Sequence, residues 1–67
     1  MELFTIMEVS KKLKTTKQMV YKLIRSGHIK ALKLGDLKVT SLELERFIND
    51  ATGKDYSDLE NVKELAF

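Results

Sequence analysis

Cysteine is absent from this chain of 67 residues, which excludes a disulfide scaffold and any thiolate metal site. Proline is absent as well, and with it any Pro-rich linker; there is no repeat and no low-complexity segment. Tryptophan is missing and aromatics make up only 7% of the residues, so RNA stays open but lacks the positive signal of the aromatic stacking platforms that single-strand readers usually show. The one histidine, His28, follows a glycine that reads as a helix stop, so it is expected to cap or face solvent rather than serve as base or ligand. There is no H-x-x-x-H spacing and no phosphate-cradling glycine loop. Glu43 and Glu45 stand two apart on a predicted helix and so point apart, and Asp50, Asp55 and Asp58 lack the calcium-loop pattern. These absences argue against an enzyme, and no cofactor, metal or small-molecule ligand is expected. Apolar runs are a few residues long and no positive-then-apolar leader opens the chain, so the expected setting is soluble and cytoplasmic, with no membrane contact.

What remains is a chain the size of one small domain, burying roughly 60% of the surface its unfolded form exposes. A buried pocket of enzymatic volume is hard to house at that size. The net charge of +2 conceals an asymmetry. Residues 1–49 carry ten Lys or Arg against five Asp or Glu; residues 50–67 carry two against five. Between Lys11 and Lys38 nine basic residues face Asp36 alone. Positive charge so concentrated favours a polyanionic partner, nucleic acid before membrane.

The segments can be placed by their start and stop signals. In FTIME, Thr5 and Glu8 have capping-box spacing, with Phe4 and Val9 at the positions of a hydrophobic staple. Ile6, Val9 and Leu13 then recur at helical spacing, and the helix ends near Leu13 or Lys14. Thr16, with Thr15 as fallback, caps a second helix from about Lys17 to Ser26, and Gly27 supplies a left-handed stop. Helices joined by so tight a turn form a helix-turn-helix pair. Next, IKALKL and LKVT flank Gly35-Asp36, predicting a hairpin with a type II′ turn, its leucines inward and its lysines outward. Thr40 and Glu43 offer another capping box, with Ser41 as alternative cap, for a third helix whose Leu44, Phe47, Ile48 and Ala51 close the core. Gly53 interrupts. Beyond it, Ser57 and Glu60 again have capping-box spacing, and Leu59, Val62, Leu65 and Ala66 mark a weak amphipathic turn.

The second helix carries two faces. At about 100° per residue, Lys17, Gln18, Tyr21, Lys22 and Arg25 fall within an arc of about 140°, opposite Val20, Leu23 and Ile24, with Met19 at the boundary. A helix with Gln, Lys and Arg on its outer face suits the DNA major groove, where those groups read base edges. Lys17, Gln18 and Tyr21, near the helix start, are candidates for base readout; Lys22 and Arg25, further along, for phosphate. Thr16 sits at the N-terminus, whose free N–H groups favour a phosphate. Lys33 and Lys38 would project from the hairpin toward an adjacent backbone, with Asp36 an awkward charge at its tip. Lys11, Lys12 and Lys14 flank the inter-helix turn. The rival reading is a protein-binding adaptor using the same fold without DNA.

The segments FTIMEVSKKL, VYKLIRSGHIKALKLG and LELERFI, in this order, resemble the excisionase-type helix-turn-helix domains, relatives of the DNA-binding heads of MerR-like winged regulators. The likeness runs from about Phe4 to Ile48. It implies an α+β fold: a small winged helix-turn-helix of three helices with a two-stranded β-hairpin wing. By extension, residues 1–50 form the DNA-binding domain and residues 51–67 an acidic tail, disordered or a short helix. The resemblance also implies double-stranded DNA as partner, the second helix in the major groove and the wing on the neighbouring backbone. Roles in that family are recombination directionality, beside an integrase, and transcription regulation. The tail, through Leu59, Val62, Leu65 and Phe67, is a candidate contact for an integrase or another copy. Two positions depart from the family's habit: Asp36 and Leu37 follow the wing glycine where basic residues are common, and Lys14 stands where glycine is common.

Overall fold

Thr5 ends one element and starts the next. The computed structural model describes residues 1–66 and places a short strand, β1 (Leu3–Thr5), directly before helix α1 (Ile6–Leu13). The Thr5 hydroxyl accepts from the Glu8 N–H at 3.2 Å, and the Glu8 carboxylate accepts from the Thr5 N–H at 2.9 Å. This is the reciprocal box that the spacing predicts, and such a cap stabilises by about 1 kcal/mol. β1 itself is not among the sequence expectations, because three residues carry no alternation to detect.

α1 stops at Lys14, which adopts the left-handed conformation (φ 56°, ψ 45°) and sends its N–H back to Lys11 O at 3.2 Å. A non-glycine residue in this region costs roughly 1–2 kcal/mol. Thr16 then caps α2 (Lys17–Arg25), its hydroxyl accepting from the Met19 N–H at 3.1 Å. At the other end Gly27 is left-handed (φ 83°), with its N–H on Ile24 O and the His28 N–H on Leu23 O. That pair of bonds is a Schellman motif, and it turns the chain sharply toward the wing.

The wing hairpin is present, built from β2 (Leu32–Leu34) and β3 (Asp36–Thr40), but its turn is tighter than the two-residue type II′ loop. Leu34 stands opposite Asp36, leaving Gly35 (φ 73°) alone at the tip. The register is thus one residue away from the expected one, and in a strand that exchanges faces. Leu37 and Val39 face the core as expected, but Leu32 and Leu34 share the outer face with Lys38. The inward positions before the turn belong to Ile29 and Ala31, which pack in the core, and then to Lys33. Ile29 fixes this phase: it is 1% exposed, and burying it there sends the leucines outward. β1 pairs with β3 on the other side, Phe4 opposite Val39, so the sheet has three strands in the order β1-β3-β2.

Thr40 caps α3 (Ser41–Ala51), accepting from the Glu43 N–H at 3.0 Å. The expected second box is only half formed. The Glu43 carboxylate reaches the Lys30 N–H at 2.8 Å and the Arg46 guanidinium instead. Ser41 does not cap α3; its hydroxyl accepts from the Glu2 N–H and its own N–H donates to Glu2 O, prolonging the β1–β3 ladder. Leu44 and Phe47 are buried and Ala51 half-buried, whereas Ile48 is exposed, contrary to the expected face. The described C-terminal residues form no helix. β4 (Lys54–Asp55) pairs antiparallel with β5 (Lys63–Glu64). Between them Asp55 accepts from the Ser57 N–H and Asp58 from the Glu60 N–H. These aspartates capture the N–H groups that a capping box would have needed, the usual competition between Asx turns and helix. Phe67 lies outside the described residues.

The core joins every major element. Val9 from α1, Val20 and Leu23 from α2, Ile29, Val39 from β3, and Leu44 and Phe47 from α3 are all below a tenth exposed. Tyr56 and Leu59 from the C-terminal segment pack against this cluster.

Candidate nucleic-acid interface

The burial of Val20 and Leu23 decides which way the rest of α2 points. With those two side chains in the core, and Met19 and Ile24 half-buried at its margins, Lys17, Gln18, Tyr21, Lys22 and Arg25 are all exposed on one ridge. Tyr21 is the least open, at 38%. The angular reading of the sequence is reproduced residue by residue, because a nine-residue helix capped at both ends has little freedom to rotate once two valine- and leucine-sized groups are buried. Thr16 is exposed too, but its hydroxyl is occupied as cap. No acid lies in the first turn of α2, so its positive dipole end is not offset locally.

Two grooves flank this ridge. On the wing side, Lys17 and Tyr21 of α2 meet Lys33, Gly35, Asp36 and Leu37 of the hairpin, with Thr5, Ile6 and Met7 forming the third side. On the other side, Lys22 and Arg25 face the C-terminal segment across a groove that Asp58, Leu59 and Glu60 also line. Gln18 lines neither; it stands on the crest between them.

The two wing lysines part company. Lys33, with the β2 phase corrected, lies on the same sheet face as Leu37 and opens into the groove beside α2. Lys38 is on the central strand between Leu32 and Thr5, on the outer face of the sheet. Thus Lys17, Tyr21 and Lys33 are brought together, and Lys38 is not among them. Lys11, Lys12 and Lys14 are exposed around the inter-helix turn, and the Lys12 ammonium sits 4.6 Å from the centre of the Phe4 ring.

Sequence reasoning gave no role to Met7 or Arg46 and did not place the ring of His28. Met7 is 47% exposed within the wing-side groove, and nothing in the α1 pattern marks it as more than a surface residue. His28 caps α2 through its backbone N–H, as expected, but its side chain does not stand free in solvent: its Nε2 is 2.7 Å from Leu59 O, and its ring meets Tyr56 edge-on at 5.2 Å. Arg46 is the hub of a polar cluster on another face, bonding Glu43, Asp50 and His28 O. The Arg46 guanidinium, helped by the Lys30 N–H, holds the Glu43 carboxyl down from 4.5 to about 2 against a desolvation that opposes it. Arg46 is in turn pushed up by Glu43 and Asp50, so this cation is engaged within the fold. Among the described residues no helix is long and apolar enough to cross a membrane.

Comparison with known proteins gives one family. A family model described as a helix-turn-helix domain matches residues 3–52, from β1 to the residue after α3. No curated protein and no solved structure matches the chain. The match takes in both helices of the turn, the hairpin and the closing helix, and leaves the β4–β5 segment outside. With this span and with the fold just described, the chain belongs to the excisionase type of DNA-binding helix-turn-helix domains.

Proposed function

We propose that the chain binds double-stranded DNA sequence-specifically, with α2 in the major groove and the wing against the neighbouring backbone. The observation that carries this reading is the ridge of α2: five exposed polar, cationic or aromatic side chains on a helix whose other face is locked into the core. An α-helix fits the major groove, and the two strand backbones then run along its flanks. Gln18, on the crest, is the side chain best placed to read a base edge. Lys17 and Tyr21 border both the crest and the wing-side groove, where Lys33 adds a phosphate contact. Lys22 and Arg25 serve the opposite backbone. Lys38 is the more distant wing cation, acting on phosphates that lie beyond the sheet's outer face.

Two roles follow from the excisionase type: a recombination directionality factor that assists an integrase, or a small transcription regulator. One domain of this size offers a small contact area, so stable occupancy would draw on repeated sites or on a second protein, an integrase or another copy, at the C-terminal segment. Duplexes selected from a random pool separate the roles by where the recovered sequence lies, in element ends or in promoters.

The test of DNA binding is titration of selected and random duplexes across salt concentrations. With several lysines and arginines on phosphates, log K should fall linearly with log salt. Absence of binding to both kinds of duplex at low salt would refute the proposal.

A further inference from the structure

The groove between α2 and the C-terminal segment has an unusual charge pairing for a protein that grips DNA. Lys22 and Arg25 form one wall and Asp58 and Glu60 belong to the other. The wing-side groove differs, with Lys17 and Lys33 against Asp36 alone. The acidic wall is also held in place. The Leu59 carbonyl lies 2.7 Å from His28 Nε2, Tyr56 packs edge-on against both His28 and Phe47, and the Asp58 carboxylate accepts from the Glu60 N–H at 3.0 Å. This segment lies beyond the family match, which stops at residue 52. It is therefore an addition fixed to the end of the reading helix, by contacts that begin at the Schellman turn.

We propose that Asp58 and Glu60 are an intramolecular counter-charge to Lys22 and Arg25, holding down the affinity of α2 for DNA backbone of any sequence. The inference rests on the DNA-binding reading above. A phosphate approaching Lys22 and Arg25 enters the field of two cations and two anions together, so the local attraction is much smaller than the cations alone would give. Among the described residues the ion pairs at contact distance are those of Arg46, with Glu43 and Asp50. Asp58 and Glu60 thus act through space across an open groove, where Coulomb attraction is moderate and screened within about 8–10 Å at working salt. Their effect should be largest at low salt and fade as salt rises. The physical outcome is a helix that engages one backbone firmly, on the wing side, and the other weakly. Sequence-independent binding comes almost wholly from phosphate contacts, so weakening one flank shortens the time spent on random DNA.

The experiment measures binding of a random-sequence duplex by the full chain at several salt concentrations. Asp58→Asn with Glu60→Gln should tighten it about tenfold at low salt and steepen the salt slope by about one. Asn keeps the oxygen that accepts from the Glu60 N–H, and Glu60→Gln alone, which leaves that turn untouched, should give about a threefold gain. A control pair, Glu2→Gln with Glu45→Gln, makes the same change in net charge outside either groove and should change affinity by less than about twofold. In a Lys22→Ala, Arg25→Ala background the gain from neutralising Asp58 and Glu60 should shrink to about twofold or less. A gain no larger than the control's, or one that persists in full without Lys22 and Arg25, overturns the counter-charge while leaving DNA binding intact. Failure of every variant to bind any duplex overturns the DNA-binding reading, and this inference with it.

Discussion

Lys14 shows how much a single residue can carry. It holds a left-handed conformation between the two helices, where the Cβ of an L-residue crowds the following carbonyl. Lys14→Gly should raise stability by about 0.5–1 kcal/mol, the relief of crowding less the greater freedom glycine gains when unfolded. Urea melts at high salt, where the lost lysine charge matters least, would measure it. Gln18 and Lys33 test the division between crest and flank. Gln18→Ala should cost about 1–3 kcal/mol at one base pair of a selected site and leave random duplexes nearly unchanged. Lys33→Ala should weaken all sequences alike and reduce the salt slope by about one, and by more than Lys38→Ala does. Competition titrations with matched and scrambled duplexes distinguish the two patterns.

Glu43 makes a prediction of different sign. Its carboxyl is held at about 2 in the folded chain against an ordinary 4.5, so the unfolded state binds more protons in between. Stability from this group is therefore fully present above about pH 4.5 and is lost as pH falls toward 2. Glu43→Gln should remove much of the acid sensitivity in that window while costing about 1–2 kcal/mol at neutral pH. Chemical denaturation at stepped pH reads both effects.

At the level of elements, the wing and the C-terminal segment are the two flanks of α2, and they are attached in different ways. The wing is fastened through β3, which lies between β1 and β2 and carries the fully buried Val39. The C-terminal segment holds on through Tyr56, Leu59 and the ring of His28. Tyr56→Ala should cost about 2 kcal/mol by removing two edge-on aromatic contacts and their buried area. It should also raise amide exchange across residues 54–64 more than in α1. Uniform loss of protection throughout the chain would show that the segment is part of the single cooperative unit. The elements legible from sequence were those with a local signal: caps at Thr5, Thr16 and Thr40, a stop at Gly27, and helical periodicity between them. The strand β1 was not legible, being too short to alternate. The C-terminal segment, expected to be disordered or a short helix, instead pairs two short strands: Ser57 and Glu60 have capping-box spacing, but Asp55 and Asp58 reach the backbone first.

Across the whole molecule, the sequence by itself determined that α2 has a core face and a cationic outer face. That property depends only on helical geometry and on which side chains avoid water. It determined the order of helix, turn, helix, hairpin and helix for the same reason: each boundary is written in residues that act on their own backbone. Tertiary structure alone decided the rest. The burial of Ile29 set the phase of β2, turned Leu32 and Leu34 outward and brought Lys33 rather than Lys38 beside Tyr21. Packing of Tyr56 and Leu59 on the core carried Asp58 and Glu60 to the end of α2, more than thirty residues along the chain from Lys22 and Arg25. Strand phase and the meeting of distant charges depend on which surfaces are covered when the whole chain closes. No local pattern encodes that, since an extended segment can present either face and an exposed acid carries no mark of the cation it will face.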